Sequence, residues 1–370
     1  MSLLRALDTG GVASKAVAEA HNTALGEALE YLHTHAGYTR VHNPVSGRKD
    51  LVRLPGLVAA AYQHETSRAG DPHLHTHVLV PNKQARTDGV LVAIDSDALW
   101  HEAKAAGIIY QTVLRQELNA SLGVEWDRVD PHSGMAEIAG VDRAVLTAAS
   151  QRSTQLSAWA SKNLVVDSVG VSAAQLARAQ KATRPRKPEH RPWAELRAEW
   201  AGRFGGELVI DEAAQQRARE QRLAAAAGAV MEWVNAAVAG IDKAAFTRAD
   251  LIEALGAAMP VTIADTDRGP RWVAETLADA VGMRITAERA PHEREGHDRF
   301  TAAPIIAEEQ ALYELIAVRD QRAALPAETV ETVVEAAGLS ADQGAAIGAI
   351  ATSPWLIQAL SAPAGAGKTT

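Results

Sequence analysis

The chain has 370 residues, 47 % of them apolar, with a formal net charge of -8 and no cysteine. That length admits two or three domains with buried cores. The absence of cysteine excludes disulfides, thiolate zinc sites and thiol catalysis, so a tightly held metal must use His, Asp or Glu.

The acidic balance argues against nucleic-acid binding through bulk charge and leaves room for a local basic patch. "MSLLRALDTGGVASK" has no charged n-region followed by an apolar core, so it does not read as a secretory signal, and a cytoplasmic location is the default. A helix is expected through "SKAVAEAHNTALGEALEYLHTHAG", capped by Ser14, with Val17, Ala20, Ala24, Ala28 and Leu32 at helical spacing and Gly37 as its stop. "TRVHNP" and a turn at "VSGRKD" follow. "GLVAAAYQHETS" alternates as a strand through Val58, Ala60, Tyr62 and His64, "RAGDP" is a loop, and "HLHTHVLVPN" is a second strand ended by Pro81-Asn82. Together they make a β-hairpin. A short strand pair surrounds "GVLVAID". Asp97 is then placed to cap a long helix that ends at Gly123, with Leu99, Ala103, Ala106, Tyr110, Val113 and Leu118 on one face.

From Gln151 the pattern is mostly helical. "KATRPRKPEHRP" reads as an exposed joint, and eight Lys/Arg stand against three Glu from Arg178 to Arg203, which suits a solvated linker or contact with phosphates. "LAAAAGAVMEWVNAAVAGI", from Leu223, suits a buried helix; Glu232 and Asn235 interrupt it as a membrane span, and no membrane insertion is expected. Thr247-Arg248-Ala249-Asp250 has the form of a capping box opening "RADLIEALGAAM".

The tetrapeptide "LHTH" occurs at Leu32 and again at Leu74. On a helix, residues two apart diverge by about 200°, so His33 and His35 cannot share an ion. On a strand they share a face with Cβ atoms roughly 6.5–7 Å apart, so His75 and His77 can. His64, on the strand before the loop, folds back as a third ligand. Three neutral nitrogen ligands leave coordination positions open, as a catalytic metal needs. His73 is in register with the pair but follows Asp71-Pro72 at the strand edge and is read as a non-ligand.

"APAGAGKTT" has the form of a phosphate loop, with Ala362 where the first glycine is usual. Gly365 and Gly367 permit the tight turn, Lys368 reaches β/γ-phosphates, and Thr369 can ligate Mg²⁺. "WLIQALSA" reads as the preceding strand. "GLSADQGAAIGAI" resembles the glutamine-bearing entry segment of superfamily 1 helicases, which implies that Gln343 contacts adenine.

"HETSRAGDPHLHTHVLVPN" followed by "DSDALWHEAKAAGIIYQTVLRQELNASLGVEW" resembles conjugative relaxases of the MobF type, the TrwC-like relaxase–helicases. His64, Arg68, Asp71-Pro72, His75 and His77 stand in that family's order and spacing. The resemblance implies an α/β (α+β) fold, an antiparallel-sheet HUH endonuclease domain flanked by helices, followed by a mostly helical region and the start of a P-loop ATPase domain. It implies His64, His75 and His77 as ligands of a divalent metal (Mg, Mn or Zn), ATP with Mg as a further cofactor of the intact protein, and single-stranded DNA at a transfer origin plus the conjugative transfer machinery as partners. In that family a tyrosine attacks a DNA phosphodiester from a segment upstream of the strand that "SLLRAL" resembles. Tyr31, Tyr38, Tyr62 and Tyr110 do not correspond to it, and Tyr62 reads as a packed strand aromatic.

The expected organisation is a relaxase domain lacking its N-terminal strand over 1–150, a helical extension and basic linker over 151–205, a helical part of the helicase region over 206–335, and the start of an ATPase domain over 336–370. On this reading the chain is a fragment cut at both ends, able to bind metal and DNA but not to nick or unwind. A phosphodiesterase using metal-bound water and a non-catalytic DNA-binding remnant remain as alternatives.

Overall fold

A computed structural model describes residues 1–8, 10–164, 172–185, 191–228, 230–261, 268–320 and 324–361. The chain divides into two compact units, 1–301 and 302–370. The phosphate-loop residues Gly365, Gly367, Lys368 and Thr369 lie outside the described residues.

The first unit begins with α1 (Ser2–Leu7) and α2 (Val12–Ala36). "SLLRAL" is thus a helix and not the expected strand. Leu3, Ala6 and Leu7 recur at helical spacing and are all buried, and that stripe packs on Trp200. Helix α2 starts ahead of Ser14 because Asp8 takes the capping role: its carboxylate accepts from the N–H of Gly10 and of Ser14, at 3.0 and 2.8 Å.

Three hairpins follow: β1 (Tyr38–His42) with β2 (Lys49–Arg53), β3 (Ala60–Thr66) with β4 (Pro72–Leu79), and β5 (Lys83–Ala85) with β6 (Leu91–Ala93). The mixed helical and antiparallel class is as expected; the single central sheet is not. Each sheet among the described residues has two strands, and an isolated bridge from Thr39 to Ile94 joins the first hairpin to the end of the third. At β4, helix α1 occupies the flank a further strand would use, and Ser2 Oγ accepts from the Leu74 N–H at 3.0 Å.

Helix α3 (Ser96–Leu122) is capped by Asp95, which accepts from the Asp97 N–H, so the cap lies two residues before the expected one. Gly123 ends it in the left-handed conformation at φ 66°, as anticipated. Ala106, Val113 and Leu118 are buried as expected, whereas Ala103 is exposed; Glu102, Ala105, Ile108 and Ile109 are among the other buried residues of the helix. Helices α2 and α3 pack on each other, and the second hairpin is tied to α2 through Thr76 Oγ1 and His21 Nε2 at 2.7 Å.

The remaining elements of this unit are α4 (Arg143–Ala148), α5 (Gln151–Asn163), α6 (Ala173–Ala182), α7 (Trp193–Phe204), α8 (Glu212–Ala227), α9 (Val230–Ala239), α10 (Arg248–Ala258), α11 (Gly269–Val281), the short pair β7 (Met283–Arg284) and β8 (Phe300–Thr301), and a 3-10 turn (Glu295–His297) between them. The alanine-rich stretch from Leu223 is divided between α8 and α9 at Gly228, and it is largely exposed. Only Val234 and Val238 of these two helices are buried, since small alanine side chains gain little from burial. The Thr247–Asp250 capping box forms as read. Helix α10 meets α3 closely at Gly256, where a Cβ would stand 2.7 Å from Ile108 Cγ2.

The second unit contains α12 (Ala303–Ile316), α13 (Ala327–Ala336) and α14 (Ala341–Ala351). "WLIQALSA" is not a strand over its described part: Trp355 makes one isolated bridge to Arg319, and the residues from 356 to 361 pair with no strand. The Leu356 N–H donates to the Val318 carbonyl at 2.9 Å and the Asp320 N–H to the Pro354 carbonyl at 2.7 Å, so pairing is confined to the bridge and extends into no ladder among the described residues. No helix among the described residues is long and apolar enough to cross a membrane.

Candidate metal and phosphodiester site

The antiparallel register places His64 directly opposite His75 and Tyr62 directly opposite His77. Opposed residues share a face, so the three histidines and Tyr62 project from one side of the β3–β4 hairpin. Ring centroids are 5.3 Å apart for His64 and His75, 5.0 Å for His64 and His77, and 5.0 Å for His75 and His77. Imidazoles bound through one nitrogen at about 2.1 Å from a tetrahedral ion have centroids roughly 5 Å apart, so the spacing and the donor chemistry fit a divalent metal. The ring nitrogens are not turned to a common point. As they stand, no group of three or more His, Cys, Asp or Glu among the described residues is arranged to hold an ion.

His73 lies inside β4, with its ring 4.6 Å from that of His75, and its carbonyl accepts from His75 Nδ1 at 2.9 Å. That bond leaves Nε2 of His75 for a ligand and fixes which ring edge faces outward. His33 and His35 diverge on α2 as expected, and His35 Nε2 lies 2.9 Å from Glu275 Oε1 of α11.

The loop between the strands is closed by Asp71, which is buried. Its backbone carbonyl accepts from the Ser67 N–H at 2.9 Å, and its carboxylate meets Ser67 Oγ at 3.1 Å and Arg203 at 3.3 Å. Gly70, at φ 81°, supplies the left-handed turn, and its carbonyl accepts from Trp200 Nε1 at 2.9 Å. Trp200, fully buried, packs with Leu3 and Leu7. Helix α7, expected to belong to an extension, therefore holds the hairpin loop in place.

The expected exposed joint is also engaged where it is described. Thr183 and Pro185 carbonyls accept from Arg152 and Arg68, at 2.7 and 3.4 Å. Arg197 donates to the carbonyls of Ala6 and Asp8, and Arg191 pairs with Glu195 and Glu199. Much of the basic bias is thus spent on the fold. Arg68, Arg152 and Arg184, whose charges are not paired with a carboxylate in these contacts, line a cleft of about 1800 Å³ that includes His64, His75 and His77, together with Arg191 and its partner Glu199.

Behind the hairpin lies a group that sequence reasoning missed. His21 of α2 is 2 % exposed; its Nε2 is 2.7 Å from Thr76 Oγ1 and its Nδ1 is 2.6 Å from Tyr110 Oη. Burial holds the His21 imidazole below its ordinary range and pushes the Tyr110 phenol up to about 12. The available signal was position, since His21 falls on the stripe of Val17, Ala24 and Ala28. Tyr62, expected to be packed, is 54 % exposed.

A two-stranded antiparallel hairpin carrying three outward imidazoles beside an arginine-lined cleft defines a candidate metal-assisted site for phosphodiesters. The sequence model of the family described as TrwC relaxase matches residues 1–205. The chain belongs to this family of MobF-type conjugative relaxases. The match runs through α7, in accord with the hold of Trp200 and Arg203 on the hairpin loop.

The chain is 32 % identical over 258 residues to the multifunctional conjugation protein TraI of Escherichia coli, covering 64 % of this chain and 14 % of that protein. A second TraI, from strain K12, is 32 % identical over 146 residues, covering 37 % of this chain and 8 % of its own length. The chain thus spans about a seventh or less of these curated relatives. Among solved structures, the conjugative relaxase TrwC with oriT DNA in a copper-bound form is similar at TM-score 0.47 and 29 % identity, covering 57 % of this chain and 68 % of that one. TrwC complexed with a 27-mer DNA comprising the recognition hairpin and the cleavage site gives 0.48 and 28 %, covering 57 % and 72 %.

Proposed function

We propose that His64, His75 and His77 hold a divalent metal, with zinc, manganese, nickel or cobalt suited to imidazole better than magnesium, and that the site acts on single-stranded DNA of a transfer origin. The observation that carries this reading is the ladder register, which brings three imidazoles to about 5 Å spacing on one face in a chain of the TrwC relaxase family. When bound, the metal supplies Lewis-acid polarisation of a phosphoryl oxygen. The chain's own residues do the rest: the hairpin orients the imidazoles, the His73 carbonyl sets the His75 ring edge, and the cleft arginines attract the phosphate backbone.

This polypeptide is proposed to bind metal and DNA without forming the tyrosyl–DNA link. Tyr31 Oη donates to Glu102 at 2.6 Å, Tyr38 Oη accepts from Arg53 at 2.7 Å, and Tyr110 Oη bonds His21, so each hydroxyl is engaged away from the imidazole face. Tyr62 stands on that face, with no base among the described residues bonded to its hydroxyl. For the second unit the proposal is the start of a helicase-like ATPase domain over 336–370, with Gly365, Gly367, Lys368 and Thr369 for ATP and Mg²⁺ and Gln343 for adenine. In the structure Gln343 has a local role, its Oε1 accepting from the Ser340 N–H at 3.2 Å in a capping box that opens α14. The proposed setting is the cytoplasm, with the conjugative transfer machinery as partner.

Titration calorimetry of the whole chain with Zn²⁺ and Mn²⁺, followed by binding of an origin oligonucleotide, tests the reading. Saturable metal uptake with one ion per chain and DNA binding that falls steeply with salt are expected. Absence of metal uptake sinks the metal site, and cleavage without a covalent adduct would favour hydrolysis by metal-bound water.

A further inference from the structure

Thr76 lies between His75 and His77 in β4, and strand alternation sends its side chain to the face opposite the imidazoles. There its hydroxyl meets His21 of α2 at 2.7 Å, and the far nitrogen of His21 meets Tyr110 of α3 at 2.6 Å. We propose that the Tyr110–His21–Thr76 chain is a positioning device for the metal site, fixing the back of β4 so that His75 and His77 can turn their nitrogens to one point. The inference rests on the metal reading above.

Three features support it. Sheet β3–β4 has two strands, and such a hairpin is marginal by itself, whereas metal ligands need holding to about 0.5 Å. Thr76 shares a peptide bond with each of two ligands, so any rotation of its backbone moves both. Its anchor belongs to the two longest helices of the first unit, which pack on each other.

The chemistry of the chain is complete. A neutral imidazole has one donor and one acceptor, and each neighbouring hydroxyl can serve as either, so both nitrogens of the buried ring are satisfied in either tautomer. Removing the Thr76 hydroxyl leaves a buried ring nitrogen without its partner, and the strand can then relax away from α2. His21 itself is no ligand, because both of its nitrogens are engaged on the face away from His64, His75 and His77. The β-branch of Thr76 narrows its χ1 choices, so a pinned hydroxyl constrains the backbone as well.

The test uses the whole chain with Co²⁺, whose visible absorption bands report coordination geometry. Thr76→Val keeps the β-branch and loses the hydroxyl. Expected are an apo melting temperature within a few degrees of the parent, Co²⁺ binding weakened about tenfold or more, and altered band positions and intensities. Thr76→Ser should restore affinity and spectrum. Tyr110→Phe, which keeps the ring, should move both in the same direction by less.

Parental affinity and spectrum in Thr76→Val would overturn the inference. So would a loss of melting temperature, recovered in Thr76→Ser, with no change in the Co²⁺ bands, since that marks a merely structural role. If Thr76→Val does not fold, the Tyr110→Phe spectrum decides: unchanged bands overturn the proposal. A parent chain that takes up no Co²⁺ overturns the metal reading and this inference together, whereas normal parental uptake with unaffected variants overturns the inference alone.

Discussion

His64 and His75 face each other across the β3–β4 ladder, with ring centroids 5.3 Å apart and planes inclined by 24°. Two strands suffice to create this relationship, because antiparallel pairing aligns opposed residues on one face, and His77 joins it two residues along. His75→Ala is therefore expected to weaken Zn²⁺ or Mn²⁺ binding by at least a hundredfold while leaving the apo fold intact, since the ring is partly exposed. Calorimetry paired with circular-dichroism melting checks both halves. Retention of metal affinity would mean that the ions bind elsewhere.

Tyr62 shares that face and is the tyrosine of the first unit whose hydroxyl is not engaged by a neighbour among the described residues. Incubating the chain with an origin oligonucleotide and Mn²⁺ is expected to give no adduct that survives denaturing electrophoresis. An adduct that forms in the parent and disappears in Tyr62→Phe would transfer the role of nucleophile to Tyr62.

Trp200 is 0 % exposed, packs on α1, and donates to the Gly70 carbonyl in the hairpin loop. Trp200→Ala should cost about 3–5 kcal/mol of stability by leaving a large cavity and freeing that loop. Urea unfolding measures the loss. Metal affinity should fall with it, because the loop sets the pairing of β3 with β4.

Burial raises the Tyr110 phenol from 10.0 to about 12. A group with a folded pKa above its unfolded value contributes stability that is complete below the unfolded pKa. That contribution is lost as pH rises through the folded one. Stability should therefore decline between about pH 10 and 12, and Tyr110→Phe should flatten that decline while costing about 1 kcal/mol at neutral pH through the lost hydrogen bond. Denaturant titrations across this range, read alongside phenolate absorbance, distinguish the two effects. An equally steep decline in the variant would show that other groups drive it.

The hairpin was legible because strand period and imidazole spacing are local: Tyr62, His64, His75 and His77 can be assigned to one face from the order of residues alone. The Thr247 capping box and the Gly123 stop were legible for the same reason, each being written within a few residues. The strand that the resemblance implied for "SLLRAL" is a helix here, its Leu3, Ala6 and Leu7 stripe buried against Trp200, nearly two hundred positions away. "WLIQALSA" has strand composition, but over its described part its pairing stops at the Trp355–Arg319 bridge, and a ladder is a property of two segments. The joint before α7 looked free because its carbonyls are bonded by Arg68 and Arg152, whose distance in the chain hides the contact.

By itself, the sequence determined the donor chemistry. With no cysteine, a metal site has to be built from His, Asp or Glu, and strand period alone puts His75 and His77 on one face with His64 across a short loop. It also carried the family. Tertiary structure alone decided what stands behind that face: α7 holding the loop through Trp200 and Arg203, and His21 joining Thr76 to Tyr110 beneath the three imidazoles. The physical reason is that burial and hydrogen-bond satisfaction are set by whichever segments arrive from elsewhere in the chain. A histidine on an apolar helical stripe has no meaning until its two partners are in place.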